Sequence, residues 1–238
     1  MNKLLILIAS SLFLFGFEES SIDLLKSHID NAIRCSQTNQ TQLPKSVFSL
    51  EGMSSRKNRI LLNAICQVAA LLPTRYLEIG VWKGSTFISA NYGNPMEFSV
   101  AIDNWSEFGG PKTEFLRNGV NYLGNKFLFI DGDCFSSHTI NRLKDHKFDI
   151  YFYDGNHSER NQYLAFKKYD HLLDDVFIAI VDDWSWPQVK SGTLKAFEEL
   201  QYQIIKKFEI DTNQSDPHGY WNGLIVALIR KTNTKSSM

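Results

Sequence analysis

Three observations predict a doubly wound α/β fold whose seven-stranded sheet is mostly parallel with an antiparallel last strand. Short apolar, β-branched and aromatic runs alternate with helical stretches through the middle of the chain. The first of these runs breaks into a glycine turn that opens directly into a helix. The last two runs are joined by a polar loop too short for a crossover helix, so they form a terminal hairpin. At 238 residues the chain suits one domain with additions and is long enough to bury a substantial core.

Composition narrows the function classes. The chain is 43% hydrophobic and 21% charged, with formal net charge -1, so no nucleic-acid partner is expected. Cys35, Cys66 and Cys134 are odd in number and lack metal-type spacing, which predicts reduced thiols rather than a disulfide framework or zinc site.

In chain order, Lys3 precedes an uncharged apolar run over residues 4–17, short for a membrane span and similar to a signal-peptide core without an Ala-x-Ala cleavage site. Residues 1–17 therefore read as a signal-like segment or anchor, with membrane association through 4–17, or as a packed N-terminus. Residues 18–54 hold a helix over 20–36, with Ile22, Leu25, Ile29 and Ile33 on one stripe, and a polar linker over 37–45 closed by Pro44. The main domain spans 55–232 and opens with a helix over 55–72 that Pro73 ends; a polar tail, 233–238, follows it. Strands are expected at 76–79, 98–102, 127–130, 148–153 and 176–181, with connections at 85–92, 113–123, 135–143 and 157–173. A helix over 188–200 leads to strands 203–210 and 223–230 around a loop containing Pro217 and Gly219.

Successive strand ends carry acids: Glu78, Asp103, Asp131 with Asp133, Asp154, and Asp182 with Asp183. A parallel sheet brings those ends to one crevice. Capping or turn formation accounts for any one of them, but five in succession point to a ligand site. The first turn, Glu78-Ile-Gly80-Val-Trp-Lys-Gly84-Ser85, fits neither the dinucleotide fingerprint nor a phosphate-binding loop.

That turn, an acid followed by Gly-x-x-x-Gly, resembles the first motif of the class I S-adenosylmethionine-dependent methyltransferases, whose Rossmann-like sheet also has seven strands and a reversed last strand. The resemblance implies S-adenosyl-L-methionine as cofactor. It places Gly80, Gly84 and Ser85 at the methionine moiety with Glu78 ordering the site, Asp103 on the ribose hydroxyls, and Asn104, Gly132 and Asp133 by the adenine. A carboxylate at 103 would also repel a 2′-phosphate.

The stretch Phe148-Asp-Ile-Tyr-Phe-Tyr-Asp154-Gly-Asn-His157-Ser, followed by Asp182-Asp183-Trp184, resembles the macrocin O-methyltransferase group. This implies that Asp154, Asp182 and Asp183 ligate a divalent cation, usually Mg2+. Converging carboxylates independently favour a hard, oxygen-bound cation, because without one their charges repel. Asp154 and His157 are the catalytic candidates: His157 as general base or helix-capping histidine, the carboxylates as alternative bases. Aromatic loops at 105–111 and 184–187 are expected to shape the acceptor pocket, with His218, Tyr220 and Trp221 as further contacts.

The combined expectation is Mg-assisted O-methyl transfer to a hydroxyl of a small molecule, a sugar or glycosylated metabolite. N-methyl transfer, a non-catalytic binding or scaffold protein and a nicotinamide enzyme are the alternatives. A homo-oligomer is compatible with this reading. The cofactor's cytosolic origin favours the cytoplasm, or anchoring at the cytosolic membrane face, over export by a signal peptide.

Overall fold

The computed structural model describes residues 2–212 and 216–232, with side chains described from residue 19 onward. Helix α1 (Asn2–Gln37) runs without a break through the expected boundary at residue 17. The membrane role of 4–17 and the tail 233–238 lie outside the described residues. Among the described residues no helix is long and apolar enough to cross a membrane. Ile22, Ile29, Ala32 and Ile33 bury the expected stripe against α3 (Arg56–Cys66), each large side chain contributing about 1.5–3 kcal/mol. Ser55 caps α3 by accepting from the Asn58 N–H. Between them, the short α2 (Lys45–Phe48) and the linker are held by buried Arg59, which donates to the carbonyls of Val47, Phe48 and Leu50.

The sheet alternates β1 (Arg75–Ile79), α4 (Ser85–Asn91), β2 (Phe98–Asp103), α5 (Lys112–Leu123), β3 (Leu128–Asp131), α6 (Ser137–Asn141), β4 (Phe148–Tyr153), α7 (Glu159–Tyr169), β5 (Leu173–Asp182) and α8 (Pro187–Glu199), ending in β6 (Tyr202–Ile210) and β7 (Leu224–Lys231). Strand order is β3-β2-β1-β4-β5-β7-β6, with β7 antiparallel to both its neighbours. This is the expected fold. Alternate residues feed two cores: Tyr76, Ala101, Ile150 and Phe152 on one face, Leu77, Val100, Tyr151 and Tyr153 on the other. That two-sided burial is why the strands read as continuous apolar runs.

The helix expected over 55–72 ends at Cys66 and passes into a 3-10 turn over Gln67–Ala70, and two further boundaries differ from expectation. Strand β5 starts at Leu173, which pairs with Phe148, three residues earlier than its apolar run suggests, because Asp174 and Asp175 break the hydrophobic pattern. Helix α6 is only Ser137–Asn141, since Ser136 caps it by accepting from the Thr139 N–H. Connections from β1 lead to β2 on one side and, after β3, to β4 on the other. The chain thus parts at the carboxyl ends of β1 and β4, where an α/β sheet opens its ligand crevice.

Candidate active site

The glycine turn is built for close approach. Gly80 has φ +85, and a Cβ there would lie 1.9 Å from the Asp154 carbonyl oxygen. The Gly80 N–H donates to the Ile102 carbonyl (2.9 Å) and that of Asp154 to Ile79 (2.8 Å), tying β1, β2 and β4 together where they end. Asp103 then fixes two loops: Oδ2 accepts from the Val81 and Trp82 N–H groups (3.0 and 2.8 Å) and Oδ1 from Trp105 (2.7 Å).

Glu78 lies behind this turn and not in the crevice. Its buried carboxylate accepts from Tyr76 Oη and from Thr86 Oγ1 (2.6 Å). Burial pushes its pKa up to about 8, against the lowering effect of both hydrogen bonds. Gly84 packs on Phe115, and Ser85 is covered by Gly52, so neither lines the crevice. Of the residues expected at the glycine turn, Glu78, Gly84 and Ser85 thus stand behind the cavity lining, and Gly80 in it.

The Glu78 shift has a testable sign. A folded pKa raised above the unfolded value of about 4.3 means that stability is full below that value and is lost as pH rises toward 8. Glu78→Gln is therefore expected to gain on the wild type by about 1–3 kcal/mol between roughly pH 5 and pH 8.5. Urea unfolding at the two pH values checks this; a difference that stays constant would mean that Glu78 is ionised in the fold.

The crevice is a cavity of about 510 Å³. Of the expected site residues, Gly80, Asp103, Asn104, Gly132, Asp133, Asp154, His157, Asp182 and Asp183 line it. Asn104 Oδ1 accepts from the Ser106 N–H (3.0 Å), Asp133 Oδ1 from that of Phe135 (2.8 Å), and the Gly132 N–H donates to the Asp103 carbonyl (3.0 Å). Loops after β2 and β3 are thus locked together at one end of the cavity.

At the other end the acids gather. Burial, followed by the charge of Asp182, raises the pKa of Asp154 well above the carboxylate range. Burial and then Asp183 do the same for Asp182. Asp183 has φ 54 and accepts from Asn222 Nδ2 (2.8 Å). His157 Nε2 lies 3.3 Å from Asp183 Oδ2 and 3.8 Å from Asp154 Oδ1.

Burial lowers the His157 pKa despite its acidic neighbours, so the ring is neutral at pH 7. Its Nδ1 meets Gln162 Nε2 at 3.5 Å, and Thr193 Oγ1 donates to Gln162 Oε1 (3.2 Å). The Nε2 of this ring faces the Asp183 carboxylate without a hydrogen bond to it.

The cavity wall is strained. Among the described residues, the non-glycine positions with positive φ include Trp82, Trp105, Phe108, Asp183 and Trp221, all of which line it. Such conformations cost about 1–3 kcal/mol each and gather at functional sites. Trp186 stands edge-on to His157 at 5.3 Å. Trp184, expected at the acceptor pocket, is buried in the core instead. Tyr220 turns away to bond Ser36 Oγ (2.7 Å), and His218 does not line the cavity.

Sequence reasoning missed Asn222, Glu107, Met53 and Trp82. Trp82 lies inside the glycine motif, where its type gave the only signal. Asn222 is brought to Asp183 by the terminal hairpin across 39 positions, a pairing with no mark in a single sequence.

No family model and no curated protein sequence matches this chain. Its fold, however, is that of the S-adenosylmethionine-dependent methyltransferases. An O-methyltransferase from Bacillus cereus in complex with SAH superposes with TM-score 0.55 at 15% identity, over 86% of this chain and 91% of that one. Cofactor-bound Rv0187 from MTB gives 0.54 at 16%, over 92% and 96%. The O-methyltransferase TomG from Streptomyces achromogenes, in complex with SAM and involved in tomaymycin synthesis, gives 0.55 at 16%, over 85% and 89%.

Proposed function

We propose that this chain transfers a methyl group from S-adenosyl-L-methionine to a hydroxyl of a small molecule, with Asp154, Asp182 and Asp183 holding Mg2+. One observation carries the reading: the glycine turn with Asp103, and the Asp154–Asp182–Asp183 cluster, open onto a single cavity at the switch point of the sheet. Its volume of about 510 Å³ suits a cofactor with a small acceptor beside it. Donor contacts fall to the Gly80 turn, to Asp103 at the ribose, and to Asn104, Gly132 and Asp133 around the adenine. Binding to these groups fixes the sulfonium methyl, and alignment of nucleophile, carbon and sulfur supplies much of the rate.

The donor set fits a hard cation by its chemistry. Three carboxylate side chains line one end of the cavity with no Lys or Arg beside them among the described residues, and the like charges that, after burial, raise Asp154 and Asp182 are what a divalent cation would relieve. Among the described residues no group of three or more His, Cys, Asp or Glu side chains is arranged to hold a metal ion, so the reading rests on the chemistry of the three carboxylates. When bound, the cation would orient the acceptor hydroxyl and lower its pKa. His157 Nε2 faces Asp183 at 3.3 Å, and the proton that the hydroxyl gives up passes to a group of this cluster, Asp154 or His157. Among acceptors, a sugar or glycosylated metabolite follows from the resemblance to the macrocin O-methyltransferase group.

Calorimetry with S-adenosylhomocysteine, together with release of that product from S-adenosylmethionine with and without Mg2+, tests the proposal. Binding with magnesium-dependent release on a hydroxylated acceptor is expected. Tight binding without release on any acceptor would instead describe a non-catalytic binding protein, and preference for NAD would end the methyl-transfer reading.

A further inference from the structure

We infer that the hydroxylated acceptor, a glycosylated metabolite included, carries an apolar portion and zero or positive charge, and that Glu107 turns anions away at the cavity mouth; this rests on the methyl-transfer reading of the same site. The cavity is lined by Asp103, Glu107, Asp133, Asp154, Asp182 and Asp183, and, among the described residues, by no Lys or Arg. Lysines close by are already matched: Lys83 with Glu51 (2.7 Å) and Glu114 (3.0 Å), Lys112 with Asp131, and Lys190 with Asp211 (2.5 Å). The methyl donor brings one net positive charge and a divalent cation two more. Six carboxylates therefore leave the loaded cavity negative even when Asp154 and Asp182 share a proton. In a partly desolvated cleft that excess acts strongly on an entering charge.

The mouth has the opposite character. Among the described residues the large exposed apolar side chains include Met53 (41% exposed), Phe108 (65%) and Trp186 (36%), and all three line this one cavity. Exposed apolar groups that converge on a mouth mark a binding surface rather than scatter. Trp186 reaches from that rim down to His157, so an apolar ring held at the rim would place its hydroxyl over the carboxylate floor. Glu107 precedes Phe108 in the lip and lines the same cavity, exposed at its mouth. Aromatic faces beside a carboxylate also suit an amine.

The test uses three catechols that differ only in an aminoethyl, methyl or carboxylate substituent. Each is titrated into the full chain loaded with S-adenosylhomocysteine and Mg2+, read by tryptophan fluorescence, and each is offered as acceptor with S-adenosylmethionine. The amine and the methyl compound are expected to bind at least about tenfold tighter than the carboxylate, roughly 1.4 kcal/mol. Glu107→Lys is expected to close most of that gap, and Glu107→Gln to move it less in the same direction. A wild-type protein that binds the carboxylate as well as the others overturns the inference, as does a ranking that Glu107→Lys leaves unchanged. If no ring binds while S-adenosylhomocysteine does, this inference falls and methyl transfer stands. If S-adenosylhomocysteine fails to bind, both fall.

Discussion

Gly80→Ala is expected to destabilise the fold by about 2–5 kcal/mol and to weaken S-adenosylhomocysteine binding by more than about tenfold. Two costs combine. The backbone at φ +85 is one that an L side chain adopts at about 1–3 kcal/mol. The new methyl would also sit 1.9 Å from the Asp154 carbonyl oxygen, a backbone atom that cannot swing aside. Asp154 is itself anchored by its own N–H on the Ile79 carbonyl, so relief requires the ends of β1 and β4 to part. Donor turn and acid cluster would then separate together. Gly93→Ala is the control, because φ is +76 there but nothing lies within 4 Å of the added methyl. It is expected to cost about 1–2 kcal/mol and to leave ligand binding unchanged. Urea unfolding and calorimetry on both variants separate strain from collision; equal losses would show that only the backbone angle matters.

The fold was legible because the sheet is covered on both faces, so each strand is a plain apolar run and each crossover a helical one. The terminal hairpin was legible because the polar residues after Ile210 leave no room for a crossover. The acids could be read as one site only through the parallel topology, which carries strand ends to one edge, and Glu78 stands apart from the others there. Glu78 precedes the last residue of β1 and shares a sheet face with Tyr76, two positions away. That face is roofed by α4, whose Thr86 donates to the Glu78 carboxylate; Asp154 and Asp183 follow their strands and are free to point into the crevice. The same reasoning separates Trp184 from Trp186. Asp183 takes φ 54, the Trp184 N–H pairs with the Gly223 carbonyl, and the indole turns into the core. Trp184 is buried and Trp186 lines the cavity, a distinction that composition does not report.

Asp182→Asn should pull activity and stability in opposite directions. Turnover is expected to fall by about a hundredfold or more, because a cation ligand is lost and the acceptor hydroxyl is no longer held or acidified. Stability in the presence of a chelator is expected to rise relative to the wild type, and to rise more as pH increases. The sign follows from the raised pKa of Asp182, which burial and then the charge of Asp183 produce. The folded protein retains a proton that the unfolded chain gives up above about pH 4. Wild-type stability from this group is thus complete only below that pH and drains away as pH climbs, whereas Asn has nothing to ionise. Magnesium should reverse the order. By linkage, a cation that binds only the folded state stabilises the wild type with its concentration, and the variant gains much less. Thermal unfolding of both proteins, in chelator and in Mg2+ at two pH values, reads all of this without an identified substrate. A wild-type midpoint indifferent to magnesium would remove the cation from the site and leave Asp154 and Asp182 as a proton-sharing pair.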